Sequence, residues 1–449
     1  MPYIIFVSVG HRGGVAVPDD RYYQPAAETM PRADLEALQE RRVVELVEYA
    51  YERSPFYRER WDAAGVHPRQ VRTLADFRER IPFIDKQDVQ EFRQRAGDPF
   101  AGLLCVDRKD LTSITSTSGT TSEPEFFPEL WESVPPLVAG TARDLWELGL
   151  RPGDRVVIPP GTFRGFWDTL FQLLGLVPLY IDTWMGQWGN VLDAIEQYRP
   201  AYVQLLYPMV VELERLADTR DVRAALAPLK AASFAGMPLG RALTAKVRDE
   251  WGVNLYLYTS AGDTGTAWEC SEHDGYHLWE DMVLAEHLDP SGGAEVADGA
   301  VGELVATDLD NTAAPFIRFR SGDLVRLTRA ACGCGRTHAR QWPVGRKGDE
   351  TVVGDVLVGV QDVWDVLETL PETVDGIFQI IRPARVVDSL RLRVGYAPEL
   401  TGDLADLRAR VTDAVGAKVG VVPEVDLVPA ADILSTSSSV AKFPRLVKA

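Results

Sequence analysis

The chain has 449 residues, 46% of them hydrophobic and 25% charged, a balance that fits an enzyme with two or three domains and a large buried core. A formal charge of −19 argues against nucleic acid and anionic membrane surfaces as partners, because both repel a net-negative protein. Four cysteines are too few for a disulfide scaffold in a chain this long, no run reaches the roughly 18 apolar residues of a membrane span, and the opening MPYIIFVSVGHRGG lacks a basic leader, so a cytoplasmic protein is expected.

In chain order, Pro31 to Glu52 reads as an amphipathic helix, with Leu35, Leu38, Leu46 and Tyr49 at helical spacing. A second helix, Lys86 to Arg95, leads into Thr112–Pro124, TSITSTSGTTSEP, and a further helical stretch runs from Trp131 to Leu148. A loop dense in small hydroxyl residues, held between helices, can wrap a polyphosphate with amide and hydroxyl donors. It has no Gly-Lys-Ser/Thr and so is not the common P-loop; a solvated linker is the competing reading.

After Arg151 short apolar runs alternate with helices. The strands expected are Arg155–Ile158, Val177–Ile181, Tyr202–Leu206, Ala231–Ala235 and Leu255–Tyr258, separated by helices at 165–175, 188–198, 208–218 and 239–251. That order suggests a parallel sheet covered on both faces. From 300 onward Gly302–Leu309 and Phe316–Phe319 alternate as antiparallel strands do. The polar Gly345-Arg-Lys-Gly-Asp is a hinge candidate. Beyond it, strands Gln379–Arg382 and Leu390–Tyr396 with helices Val360–Leu370 and Leu404–Lys418 make a small α+β unit. The expected fold is therefore α/β, with a large N-terminal domain (1–346) of parallel sheet covered by helices, a hinge at 347–349 and a mobile α+β C-terminal domain (350–449).

Two groups of side chains suggest chemistry before any comparison. Cys332-Gly-Cys334 is a tight pair of thiols, and Cys270 opens the segment CSEHDGYH. Three thiols and one imidazole suit a closed, structural zinc site, with His273, His277 and His338 as candidates for the fourth ligand. The second group is aromatic. Phe163, Phe166, Trp167, Trp184 and Trp188 follow the early strands, where ligands of parallel sheets bind, and could line a pocket for a planar aryl substrate; plain core is the other reading.

Several segments together resemble one family. Glu28-Thr-Met, Ser54-Pro-Phe-Tyr and Ile81-Pro-Phe-Ile-Asp-Lys come first. The hydroxyl loop 115–124 stands in the place of SSGTTGxP, Met237-Pro-Leu within AGMPL in that of GGEPL, and Tyr258-Thr-Ser-Ala-Gly in that of YGxTE. Trp279-Glu-Asp, Gly302-Glu-Leu-Val-Ala-Thr, Ile317-Arg-Phe-Arg-Ser-Gly-Asp, Cys332-Gly-Cys-Gly-Arg-Thr and Lys442-Phe-Pro-Arg follow in order. In this sequence they resemble the phenylacetate–CoA ligase-like branch of the adenylate-forming superfamily, across nearly the whole chain.

The resemblance implies a reaction in which ATP and a carboxylate give an acyl-AMP and pyrophosphate, followed by transfer to coenzyme A, with the C-terminal domain swinging between the halves. It implies that Ser116, Thr117, Ser118, Gly119, Thr120 and Thr121 hold the ATP phosphates, Thr117 and Thr120 at the reacting end. Ala235, Gly236, Met237, Thr259 and Arg346 would border the nucleotide, Tyr258 stack on adenine and Asp323 accept from the ribose hydroxyls. Phe163, Trp167, Trp184, Ser260, Ala261 and Gly262 would face the acid, and Lys442 would bridge carboxylate and α-phosphate. For zinc it selects His277, which precedes Leu-Trp-Glu-Asp. Where the family has its Mg²⁺ glutamate this chain has Gly262, with Asp263 next to it as a substitute ligand; Ser122, Glu123, Met237 and Ala441 depart from the family pattern as well. Those departures keep three other readings open: nitrite activated and passed to an arylamine, delivery to an amine or carrier protein, and a non-catalytic nucleotide binder. Related enzymes include homodimers, so a homodimer is a further expectation.

Overall fold

The computed structural model describes residues 19–116, 126–130, 134–158, 163–181, 187–236, 238–435 and 444–448. One mixed sheet of twelve strands organises the first three-quarters of the chain. Its parallel part runs in the order Val177–Leu179, Arg155–Val157, Tyr202–Leu205, Ala231–Phe234, Leu255–Ser260. The sheet then continues antiparallel through Thr266–Glu269, Tyr276–Leu278, Arg340–Arg346, Phe319–Thr328, Val301–Asp308 and Val283–Leu288. The short strand Ile84–Asp85 adds in parallel to Phe319 and Arg320.

Tyr202–Leu205 and Ala231–Phe234 are buried at every position, as strands covered on both faces must be. On one face Val203, Leu205, Ala232 and Phe234 pack with the helices Trp188–Tyr198 and Tyr207–Leu216. On the other, Tyr202, Tyr256 and Trp268 meet Trp167, Leu170 and Phe171 of the helix Phe163–Leu173. The amphipathic helix is Arg32–Arg53, burying Leu35, Val43, Leu46 and Val47.

Two expected elements differ. The stretch Phe316–Phe319 is not a strand: pairing starts only at Phe319, because Arg318 takes a left-handed φ of 52° that no strand accommodates. That turn sends its guanidinium into the interior, where it donates to both Glu286 oxygens at 2.7 and 2.9 Å. The helix expected over 239–251 is split into an α-helix, Arg241–Ala245, and one π-turn, Lys246–Glu250.

Pairing in the large sheet ends at Arg346 and resumes in separate sheets at Thr351. Among the described residues of the C-terminal part, one sheet holds Thr351–Val353, Val356–Val358 and Val386–Val387, and another Phe378–Ile381, Arg391–Tyr396, Glu424–Pro429 and Leu446–Val447. The helices Val360–Leu367 and Leu404–Val419 close over a core that includes Trp364, Phe378, Leu407 and Val411. Ile377 and Ile433 reach out of this unit into the core of the large body. No described helix is long and apolar enough to cross a membrane.

Candidate active site and metal centre

The metal candidate is the better defined site. A ligand atom from each of Cys270, His277, Cys332 and Cys334 lies within 4.8 Å of all the others, and all four residues are buried. Cys270 Sγ and Cys332 Sγ are 3.7 Å apart, and Cys334 Sγ is 3.3 Å from His277 Nε2. A tetrahedral zinc with Zn–S bonds of about 2.3 Å needs sulfur atoms about 3.8 Å apart. His277 Nδ1 donates to the carbonyl of His338 at 3.1 Å, which leaves Nε2 as the ligand atom and fixes the ring. The other histidines lie elsewhere: His273 Nδ1 faces Glu269 and Arg248, and His338 accepts from the Glu280 amide. Four ligands close a tetrahedron and leave no position for water.

This cluster is also a junction. Arg336, two residues past Cys334, pairs with Glu28 at 2.8 Å and Glu147 at 2.7 Å. Tyr22 donates to the Cys334 carbonyl at 2.8 Å, and Thr337 Oγ1 to the Met30 carbonyl at 2.6 Å. The N-terminal segment is thus moored on the turn that carries the thiols.

The nucleotide candidates lie on two parts of the sheet: Tyr258 near the carboxyl end of a parallel strand, where open α/β sheets bind ligands, and Asp323 and Arg346 on a pair of antiparallel strands. Tyr258 lies in the last parallel strand, its ring stacked at 4.0 Å on Trp268 and its hydroxyl accepting from Gln204 Nε2 at 2.8 Å; burial pushes the phenol well above its usual range. Asp323 sits at the bulge where its strand passes Arg346: Oδ1 takes the Arg346 Nε–H at 2.8 Å and Oδ2 the Ser321 hydroxyl at 2.8 Å. Arg346 is raised despite the cost of its burial, because Asp323 faces it. Neighbouring Lys86, Gln87, Arg320, Ser321, Gly322 and Lys347 line a cleft of about 350 Å³.

Gly262 has φ 64°, and a Cβ there would stand 3.0 Å from the Ala306 Cβ. The backbone therefore disfavours, through strain and a tight contact, the glutamate that the family pattern places at this position. Asp263 follows with φ 60°, its amide bonded to Ser260 Oγ and its carboxylate 3.4 Å from Lys86 Nζ. Introducing Gly262→Glu should add no activity and should destabilise the fold by about 1–3 kcal/mol through backbone strain, read as a lowered midpoint in thermal denaturation.

Trp167 is 3% exposed and packs between Phe171 and Trp268, so it stands behind Trp268 as core and does not present an open aromatic wall. Trp188, 0% exposed, belongs wholly to the core on the opposite face. Ala235 and Ala261 are buried, Thr259 is half-buried, Ser260 is exposed, and Gly236 turns the chain at φ 99°. Thr117, Ser118, Gly119, Thr120, Thr121, Trp184, Met237 and Lys442 lie outside the described residues, as do the side chains of Ser116 and Phe163. Sequence reasoning missed the Lys86–Asp263 pair and the Gln204–Tyr258 bond; Lys86 was visible as the last residue of IPFIDK, whereas nothing near Gln204 marked it.

The fold is that of an AMP-forming ligase of the adenylate-forming kind. The chain is 33% identical over 432 residues to a phenylacetate–coenzyme A ligase from Thermus thermophilus, an alignment that spans 91% of this chain and 95% of that one; no family model matches. The chain belongs to the phenylacetate–coenzyme A ligase family. Among solved structures, 2-hydroxyisobutyryl-CoA ligase in its postadenylation state with 2-HIB-AMP superposes with a TM-score of 0.84 at 25% identity, covering 100% of this chain and 96% of that one. The same ligase in its thioesterification state gives 0.69 at 26% identity over the same shares of both chains.

Proposed function

We propose that this ligase activates an aromatic carboxylic acid with ATP as its acyl-AMP and then transfers the acyl group to coenzyme A. The observation that carries the reading is the Asp323–Arg346 pair on adjacent strands of a fold that superposes on an adenylate-bound CoA ligase. In this reading Tyr258 keeps one ring face on Trp268 and offers the other to adenine, while Asp323 takes the two ribose hydroxyls. The loop Ser116–Thr121 supplies amide and hydroxyl donors to the phosphates. An oxygen of the acid attacks the α-phosphorus, the bond to pyrophosphate breaks, and Lys442 balances the negative charge that develops between carboxylate and phosphate. Ser260, Ala261 and Gly262, with Phe163 and Trp184, face the acid.

Asp263 would hold Mg²⁺, which needs only one or two protein carboxylates when phosphate oxygens supply the rest; the ion would neutralise phosphate charge. Zinc at Cys270, His277, Cys332 and Cys334 is structural in this reading. We place the hinge between domains 1–346 and 350–449 at residues 347–349, where Gly348 has φ 89° and no neighbour that a side chain would meet. Four free, buried thiols suit a reducing cytoplasm, and a homodimer is the proposed assembly.

ATP–pyrophosphate exchange across a panel of aryl acids, with nitrite plus an arylamine as a separate arm, tests this. Exchange driven by one aryl acid supports the reading, exchange driven only by nitrite replaces the substrate, and ATP binding without any exchange removes the catalytic role. Asp323→Ala should raise the KM for ATP by about 100-fold or more, the cost of two lost hydrogen bonds to a charged acceptor. An unchanged KM in the same assay would take Asp323 off the ribose.

A further inference from the structure

A buried acceptor without a partner lies beside Tyr258. Gln204, in the strand Tyr202–Leu205, is 3% exposed. Its Nε2 donates to the Tyr258 hydroxyl at 2.8 Å, and its Oε1 is buried with no hydrogen-bond partner. An amide oxygen sealed away from water without a donor costs stability, and native interiors keep few of them. With the nitrogen committed to Tyr258, what remains of the amide is an acceptor.

Its place in the sheet says where a donor would come from. In the parallel register Gln204 stands beside Ser233, and Ser233 beside Tyr256. Tyr258 is the next residue of its strand on the same face, one row nearer the carboxyl end. The Gln204–Tyr258 bond therefore links two rows across the intervening strand Ala231–Phe234. Ser260 continues that face beyond Tyr258. The two hydroxyls on the other side of Gln204 satisfy each other, Tyr202 Oη and Ser233 Oγ being 2.5 Å apart. The unpaired oxygen thus belongs to the strip of Gln204, Tyr258 and Ser260 that leads to the ligand-binding end of the sheet.

We propose that Gln204 sets the substrate class: its Oε1 accepts a hydrogen bond from a hydroxyl or amino group on the ring of the aryl acid, remote from the carboxylate that is activated. The proposal rests on the reading of the chain as an aryl-acid ligase with Ser260 beside the acid. The acceptor is uncharged, so it suits a neutral phenol or aromatic amine. A bare ring or a methoxy group brings no hydrogen and leaves the oxygen unpaired. A site built to take a hydrogen bond discriminates against the analogue that lacks the donor, because binding that analogue seals off an unsatisfied polar group. In the same arrangement the Tyr258 hydroxyl occupies the amide nitrogen and leaves the oxygen for the acid.

The test measures kcat/KM for ATP–pyrophosphate exchange, in full-length protein, on matched benzoates and phenylacetates that carry a ring hydroxyl, amino or methoxy group or none. Wild type should favour the best hydroxy or amino acid over its methoxy and unsubstituted counterparts by about 10- to 100-fold. Gln204→Leu, similar in size and without the amide, should bring that ratio to about one and move the KM for ATP by less than about threefold, because only the interaction with the acid is lost. The wild-type ratio tests the proposal whatever the stability of the variant. A wild-type preference for the bare ring or the methoxy acid, or a hydroxyl preference that survives in Gln204→Leu, would overturn the proposal alone. So would a raised KM for ATP with every acid in Gln204→Leu, which would give the oxygen to the adenine amino group. No exchange with any aryl acid would overturn the aryl-acid reading and the proposal with it.

Discussion

Lys442→Ala should cut acyl-adenylate formation by about 100- to 1,000-fold while leaving thioester formation from a supplied adenylate near the wild-type rate. As the carboxylate attacks, negative charge gathers between two oxygen-rich groups, and one fixed ammonium there is worth about 3–4 kcal/mol in the transition state. The ground state gains less, so kcat should fall far more than KM rises. Lys448, the other lysine of the tail, is exposed and adjoins a strand paired into the C-terminal sheet. Lys448→Ala is therefore the control, and its exchange rate should match wild type. A Lys442→Ala enzyme with full exchange would move the charge-balancing role to another cation.

Loss of zinc should have the second large effect, on stability. Cys334→Ser should abolish metal retention, read as zinc content per chain by elemental analysis, and lower the thermal midpoint by about 10 °C or more. The argument is mechanical. The four ligands come from three separate segments, and the Cys332–Cys334 turn carries Arg336, whose guanidinium bonds Glu28 and Glu147. Without the metal, three thiols and an imidazole remain packed in a buried cluster with only each other as partners, and the mooring of residues 22–30 loses its anchor. Limited proteolysis should then cut near the N-terminal segment first. Acid should mimic the mutation, because protons compete with the metal for thiolate and imidazole: the metal-dependent stability is present at neutral pH and is lost as pH falls. Wild-type protein that keeps its midpoint after chelation, with zinc shown to be gone, would refute a structural role.

Much of this architecture was legible in the sequence for identifiable reasons. The parallel strands stood out because strands buried on both faces read as near-continuous apolar runs, as in Tyr202-Val-Gln-Leu and Ala231-Ala-Ser-Phe, each broken by one polar residue. The thiol cluster was legible because Cys and His are few in this chain and recur at short spacing. The sequence misled where tertiary demands override local pattern. Phe316–Phe319 has strand composition, yet Arg318 must turn inward to reach Glu286. Trp167 and Trp188 were open to two readings, pocket wall and plain core, and both pack as core. The seat of Arg445 over Trp364 and Phe378, with its bond to the Gly376 carbonyl, had no local signature at all, since these residues are brought together only by the fold. The same holds for Gly262: its sequence shows that the glutamate is missing, and only the left-handed φ and the position of Ala306 show that restoring it would strain the fold.

The central claim is tested most directly by following AMP and acyl-CoA together in one reaction with ATP, Mg²⁺ and an aryl acid, with and without CoA. The account predicts acyl-CoA and AMP in equal amounts when CoA is present, and at most about one AMP equivalent per enzyme, held as the adenylate, when it is left out. AMP that accumulates to many turnovers without CoA, or the absence of AMP with every acid offered, would contradict it.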